Sequence, residues 1–329
     1  MLNKVSNTSG ALNTSIRMAE WCIENEDRID VSATQSKYSR TVNLEDYVNP
    51  PKSEKAALLI LNQAIGTPNL FLKLWNKYPL RVCADGGANR LYELFEKNED
   101  ARSKYLPDYI IGDFDSLKPH VGEYYQKSGV PLIKQETQYS TDFSKCLCLI
   151  ALHIYSGSFR DKIVNQQTIE AYSGIHDLYD AMLKDSNIII PKSIRLLAIG
   201  AIDGRFDQTI HSITQLYQLS VKESLFNLCY LSATDLIFLI SPGGVLIEYS
   251  KKFRDECIGC CGLLPLGGPT EIYETRGLKW DVGNWYTSIA SGKVSSSNRF
   301  SGIDKCFVDC KEGIVMNIEV FTDKLYNYI

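Results

Sequence analysis

The sequence predicts an α/β domain built on a mostly parallel sheet, followed by an all-β domain of the sandwich type. Three observations lead there. Between residues 56 and 219, short continuous apolar runs alternate with stretches of helical period, the pattern of strands buried on both faces and covered by helices. Several of those runs open into turns rich in glycine and aspartate. Beyond about residue 227 the texture changes to short β-rich runs separated by turns such as Pro242-Gly243-Gly244 and Gly267-Gly268-Pro269, with no long helical period.

Residues 1–52 are rich in Ser, Thr, Asn and charge and end in Asn49-Pro50-Pro51. A short amphipathic helix over 11–23 is the one element expected in this extension, which reads as loosely packed. Residues 56–61 (AALLIL) form the first strand of the α/β domain. Residues 71–78 read as a helix and 80–84 as the second strand. It opens into Asp85-Gly86-Gly87-Ala88-Asn89-Arg90 and a helix with Leu91, Leu94 and Phe95 on one face. Residues 109–112 are the third strand, followed by a helix through Tyr124 and Tyr125, and 130–133 the fourth. Residues 141–154 carry Phe143, Cys146, Leu147, Ile150 and Ile154 at helical spacing. Residues 155–193 break the rhythm and are read as an insertion. A strand over 194–199 and a helix over 204–219, striped by Ile210, Ile213 and Tyr217, close the domain, which spans 53–226. Residues 236–240, 245–249 and 314–321 are strands of the β domain, 227–329.

Bulk properties narrow the function. The chain has 329 residues, 44% hydrophobic and 22% charged, enough for two substantial cores. A net charge of −4 makes no electrostatic case for nucleic acid or an anionic membrane. No stretch approaches the roughly 18 consecutive apolar residues of a membrane span, and residues 1–10 lack the apolar segment of a secretory signal. A cytoplasmic protein is expected. Of ten cysteines, Cys83, Cys146, Cys148 and Cys229 lie in apolar runs, where cysteine acts as a small hydrophobe. Cys257, Cys260 and Cys261 resemble half a zinc site, but no second Cys-x-x-Cys follows. Reduced, mostly buried thiols are expected.

Four turns carry the chemistry. In Ile110-Ile111-Gly112-Asp113-Phe114-Asp115-Ser116, a buried strand runs into two carboxylates two positions apart. Ligands of open α/β sheets bind at that strand end, and paired carboxylate oxygens there suit Mg²⁺. In Asp85-Gly86-Gly87-Ala88-Asn89, paired glycines let backbone approach a phosphate or base closely at a helix N-terminus; a tight turn explains them equally well. In Gln138-Tyr139-Ser140-Thr141-Asp142, Ser140 or Thr141 caps a helix and Asp142 complements its dipole. In Gly200 to Gln208, Arg205 and Asp207 can bind phosphate oxygens and a metal or hydroxyl; a surface ion pair is the bland alternative. There is no G-x-x-x-x-G-K-[ST], G-x-G-x-x-G or G-x-S-x-G, so a nucleotide here is held without a Walker loop.

Together these segments resemble the eukaryotic thiamine pyrophosphokinases. The likeness runs from about residue 57 to 300. It comprises LILNQ at 59–63, LWNKYPLRVCADGGANRLYEL at 74–94, LPDYIIGDFDSLKP at 106–119, STDFSKCL at 140–147, GRFDQT at 204–209, CGLLPLGGP at 261–269, GLKW at 277–280 and SSSNRF at 295–300. The resemblance implies that ATP and thiamine give thiamine diphosphate and AMP. It also implies a homodimer with its sites at the subunit interface. By motif, Asp113, Asp115 and Asp142 would coordinate Mg²⁺, and Asp85, Gly86, Gly87, Asn89, Arg205 and Asp207 would line the nucleotide and phosphate region. Gln138 would help place thiamine, with Asp142 a candidate base. Ser295, Ser297 and Asn298 of the other subunit would close over the vitamin, Trp280 and Phe300 nearby. Asp203 departs from the family's usual Gly or Ala, and SSSN from the commoner STSN. The rival readings are a D-x-D metal-dependent phosphatase or glycosyltransferase, the former with Asp113 as nucleophile, and a thiamine- or nucleotide-binding regulator without turnover.

Overall fold

The structure is a computed structural model that describes residues 19–31, 38–188, 193–222 and 225–329. It opens with β1 (Trp21–Glu24), β2 (Arg40–Asn43) and the single turn α1 (Glu45–Val48). The helix expected over 11–23 lies mostly outside the described residues, and its described end is the strand β1 instead of helix. The extension is also not loose where it is described: Leu44, Tyr47 and Val48 are fully buried.

Strand–helix units follow. β3 (Ala56–Ile60) leads to α2 (Pro68–Lys77), and β4 (Arg81–Ala84) to α3 (Gly87–Leu94) and the turn α4 (Glu99–Arg102). β5 (Tyr109–Gly112) leads to α5 (Pro119–Lys127), and β6 (Leu132–Lys134) to α6 (Asp142–Tyr155). The expected insertion forms α7 (Gly157–Val164) and α8 (Gly174–Lys184); β7 (Ile194–Ile199) and α9 (Phe206–Lys222) come after it. All of β3 is buried, and its residues alternate between two cores. Ala56, Leu58 and Ile60 pack with Phe71, Leu91 and Val121 of α2, α3 and α5, while Ala57 and Leu59 pack with Cys146, Ile175 and Leu216 of α6, α8 and α9. Burying both faces is what turns these strands into unbroken apolar runs.

The second half contains β8 (Phe226–Leu231), β9 (Asp235–Ile240), β10 (Val245–Glu248), α10 (Lys251–Cys257), β11 (Ile258–Leu264), β12 (Thr270–Arg276), β13 (Trp280–Thr287), β14 (Ser295–Arg299), β15 (Lys305–Cys310), β16 (Ile314–Val320) and α11 (Thr322–Tyr328). It is β-rich, with two short helices that the sequence pattern does not announce. One ten-stranded sheet runs β14-β11-β16-β9-β8-β7-β3-β4-β5-β6, and a six-stranded sheet runs β1-β13-β12-β15-β10-β2. From β8 to β6 every pairing is parallel; from β8 to β14 every pairing is antiparallel. The large sheet therefore crosses the boundary expected at 226/227 without a break. Val245, Ile247 and Val308 of the small sheet share a core with Phe238, Ile240, Met316 and Ile318 of the large one, which makes the sandwich.

Between β7 and β3 the connections leave in opposite directions. The chain steps outward from β3 through β4, β5 and β6, then returns to β7 on the other side of β3. Ligands of open α/β sheets bind outside the strand ends at such a switch point.

Candidate active site

A cleft of about 910 Å³ opens there. Its walls are Asn62 and Gln63 after β3, Asp85 and Gly86 after β4, Asp113 and Ser116 after β5, residues 138–142 before α6, and Gly200, Gly204 and Arg205 after β7. The local sequence dictates this crowding. A Cβ on Gly87 would collide with the Ile60 carbonyl, and one on Gly112 would stand 2.6 Å from the Asp85 Cβ. Asp85 (φ 41°) and Phe114 (φ 69°) adopt left-handed backbone that non-glycine residues rarely take, a strain that marks functional turns.

Carboxylate oxygens of Asp85, Asp113 and Asp115 lie within 4.8 Å of one another. Asp113 Oδ1 accepts from the Asp115 N–H at 3.1 Å, and Oδ2 from Gln138 Nε2 at 2.8 Å. Burial opposes the Asp113 charge, yet these hydrogen bonds and the Lys145 cation together hold its pKa below the usual value. Asp85 is the reverse. Burial pushes its pKa up to about 7; the Ser116 N–H, 3.1 Å from Oδ2, resists, while the charges of Asp142, Asp113 and Asp115 add to the rise. Its Oδ1 is buried with no hydrogen-bond partner. A buried, unpaired carboxylate oxygen beside two other carboxylates is costly unless a cation joins it.

Asp142, which the resemblance put among the metal ligands, lines the cleft but is not one of these three residues; Asp85 takes that place. Its Oδ1 is 3.0 Å from Lys145 Nζ. Burial raises the Asp142 pKa, Lys145 opposes, and the Asp113 and Asp115 charges add to the rise. Thr141 caps α6 by accepting from the Ser144 N–H at 3.1 Å. Asn89, expected to line the nucleotide, spends its side chain on the neighbouring loop: Nδ2 donates to the Ser116 carbonyl at 2.8 Å and Oδ1 accepts from the Lys118 N–H at 3.0 Å. Arg205 and Asp207 are exposed and form a two-pronged pair, 3.1 and 2.6 Å. Asp207 does not line the cleft, whereas Arg205 does.

Family comparisons agree with the geometry. A model of "Thiamin pyrophosphokinase, catalytic domain" matches residues 71–228, and one of "Thiamin pyrophosphokinase, vitamin B1 binding domain" matches 247–315. A thiamine pyrophosphokinase of Saccharomyces cerevisiae is 52% identical over 319 residues, 95% of this chain and all of that one. The chain belongs to the thiamin pyrophosphokinase family. The crystal structure of yeast thiamin pyrophosphokinase superposes with a TM-score of 0.87 at 51% identity, covering 94% of this chain and all of that one. The Candida albicans enzyme gives 0.79 at 36% identity, covering 92% and 99%.

Within this thiamin pyrophosphokinase fold, Gln138 stands with the carboxylates, whereas the residues expected to close over the vitamin from the other subunit stand apart from them. Ser295, Ser297 and Asn298 lie on β14, at the opposite edge of the large sheet from β6. Ser297 is exposed, with a left-handed backbone (φ 57°). Asn298 is buried and clasps the Trp280 backbone, accepting from its N–H at 3.1 Å and donating to its carbonyl at 2.9 Å. Trp280 is partly exposed beneath the Arg299 guanidinium. Phe300 is buried against Tyr249, a packing role. Sequence reasoning missed Lys145 and the Asn62–Gln63 pair. Their signals were present: a lysine inside an otherwise apolar helical stripe, and two amides directly after the first strand.

Proposed function

We propose that this member of the family transfers the pyrophosphoryl group of ATP to the hydroxyl of thiamine, giving thiamine diphosphate and AMP, at the cleft beside β3, β4, β5 and β7. The observation that carries the reading is the Asp85–Asp113–Asp115 cluster with its unpaired Asp85 oxygen. Hard carboxylate oxygens in this number fit Mg²⁺, which is usually shared between carboxylates and substrate phosphates. When bound, it would neutralise triphosphate charge and polarise the transferred group.

The chain's own residues position the reactants. Arg205, beside the first turn of α9, offers a guanidinium fork to phosphate oxygens in exchange for Asp207. Gln138, anchored on Asp113, orients thiamine against the β-phosphorus. The hydroxyl oxygen bonds to that phosphorus as the bridge to the α-phosphate breaks and AMP departs. Asp142 receives the hydroxyl proton, with Lys145 balancing the carboxylate between turnovers. Such transfers depend on positioning and charge stabilisation more than on covalent participation by the protein.

A second copy of the chain completes the site. β14 is eight strands from β5 in the sheet order, on the order of 38 Å along the sheet at about 4.8 Å per strand. Ser295, Ser297 and Asn298 therefore serve the partner's cleft in this reading, with Trp280 beside them and the division of labour falling near residue 227. No described helix is long and apolar enough to cross a membrane. Ten cysteines outside any disulfide suit a reducing compartment, and we assign the reaction to the cytoplasm.

The decisive assay is purified protein with Mg²⁺, ATP and thiamine. AMP and thiamine diphosphate in equal amounts are expected; ADP with thiamine monophosphate, or nucleotide release without thiamine, would overturn the reading.

A further inference from the structure

Residues 155–193 carry none of the clustered carboxylates, yet they hold the loop that bears Gln138. The Glu136 N–H donates to the Ala171 carbonyl at 2.7 Å and the Thr137 N–H to that of Tyr172 at 3.0 Å. Gln135 is wholly buried. Its Nε2 donates to the Glu170 carbonyl at 2.8 Å, and its Oε1 accepts from the Ile175 N–H at 2.8 Å. α8 packs along α6, and from its first turn His176 reaches both neighbours. Nε2 is 2.8 Å from Ser140 Oγ and Nδ1 is 3.2 Å from Cys148 Sγ on α6. Ser140 lines the cleft midway between Gln138 and Asp142.

We propose that His176 is a positioning residue for the acceptor side of the site: by tying Ser140 to α6 it sets where Gln138 stands, and so sets the affinity for thiamine. The inference rests on the reading that the Gln138 loop receives thiamine. An imidazole carries its two nitrogens on different edges of a rigid ring, so one side chain can brace a loop against a helix. Burial, with the nearby Lys145 charge, lowers the pKa of the ring and so favours its neutral form, against the pull of Asp180 and Asp177. A neutral ring offers one donor and one acceptor, and a hydroxyl and a thiol can each answer either. Support of this kind from a packed helix is what keeps a binding group in productive geometry. His176 touches no substrate in this account; it acts through Ser140.

The test is steady-state kinetics with thiamine and ATP varied separately, on the full-length protein. His176→Ala is expected to raise the thiamine KM about 10-fold, the worth of roughly one hydrogen bond, with the ATP KM within about 2-fold. Ser140→Ala should do the same, and the double variant should be no worse than either single one, because coupled residues are not additive. His176→Gln, whose amide can occupy the place of Nε2, should recover part of the loss. Gln138→Ala is the reference. If it raises the thiamine KM while His176→Ala and Ser140→Ala do not, the positioning role is wrong. Equal rises in both KM values, or additive single effects, also overturn it. If Gln138→Ala leaves the thiamine KM unchanged, the loop does not receive thiamine and the proposal falls with that reading. Should His176→Ala fail to fold, Ser140→Ala alone decides.

Discussion

The Lys145 ammonium lies 3.0 Å from Asp142 Oδ1, on a side chain almost completely withdrawn from water. Three residues apart on α6, the two charges form a pair whose anionic member lines the cleft. Removing one partner of such a pair leaves the other uncompensated. Lys145→Met is therefore expected to cost about 2–3 kcal/mol of stability, less than the roughly 3–5 kcal/mol of a fully buried pair because Asp142 keeps some contact with solvent. Urea denaturation measures it, and an unchanged midpoint would show that the pair does not hold α6 in place.

Asp113→Asn should lower turnover at least about 100-fold and raise the Mg²⁺ concentration needed for half-maximal rate, with an unchanged circular dichroism spectrum. The amide oxygen can still accept from the Asp115 N–H, and its NH2 can donate to Gln138 once that side-chain amide turns its oxygen inward, so the loop keeps its shape. Near-wild-type turnover at low Mg²⁺ would remove Asp113 from the metal site.

Gly112→Ala brings a methyl to 2.6 Å from the Asp85 Cβ. Overpacking of that kind costs about 1–3 kcal/mol, and here the group that must move is a member of the carboxylate cluster. A weaker Mg²⁺ response, about 10-fold or more, should accompany the lost stability. Activity titrated with Mg²⁺ beside a thermal melt tests both, and an intact Mg²⁺ response would show that Asp85 is not a ligand.

Asp203 sits at φ 102°, a region that favours glycine. Its backbone N–H donates to Thr209 Oγ1 at 3.2 Å, a bond that glycine would keep. Asp203→Gly should stabilise the protein by about 0.5–1 kcal/mol, strain relief being partly offset by the freer unfolded chain. A lower melting temperature would contradict this account.

Ser297→Ala should raise the thiamine KM more than the ATP KM. In a twofold dimer with shared sites, mixing Ser297→Ala chains with Asp113→Asn chains gives heterodimers with one intact site and one doubly defective site. Assayed at thiamine well below the raised KM, where both parents are slow, random reassortment of equal amounts should restore about a quarter of wild-type activity. No recovery after subunit exchange would show that both residues serve the same protomer's site.

Much of the catalytic half was readable because its physics is local. AALLIL at 56–61 announces β3 because burial on both faces demands apolar residues at every position. IIGDFDS shows its strand and its carboxylates in a single stretch. Asp85 was harder to see as a member of the cluster. It follows β4 as Asp113 follows β5, and only the parallel β4–β5 pairing brings the two together. β1 was unreadable for a related reason: its partner β13 lies about 260 residues along the chain, so a four-residue segment too short to show a period becomes a strand through tertiary pairing. β14 hides behind SSSNR, with little β propensity, and takes its form from β11. In the insertion, Ile175, Tyr179 and Met182 do mark a buried face of α8, but polar neighbours dilute the period.

The unbroken ten-stranded sheet has a mechanical corollary. Hydrogen-bonded ladders run from β6 through β8 and β9 to β14, so the nucleotide end and the serine-bearing edge of one polypeptide cannot swing toward each other as hinged lobes do. Any tightening around bound reactants must come from small loop adjustments or from sliding between neighbouring molecules. In the proposed dimer, mutations that loosen the subunit contact would then degrade vitamin capture while leaving each individual subunit as resistant to heat as before.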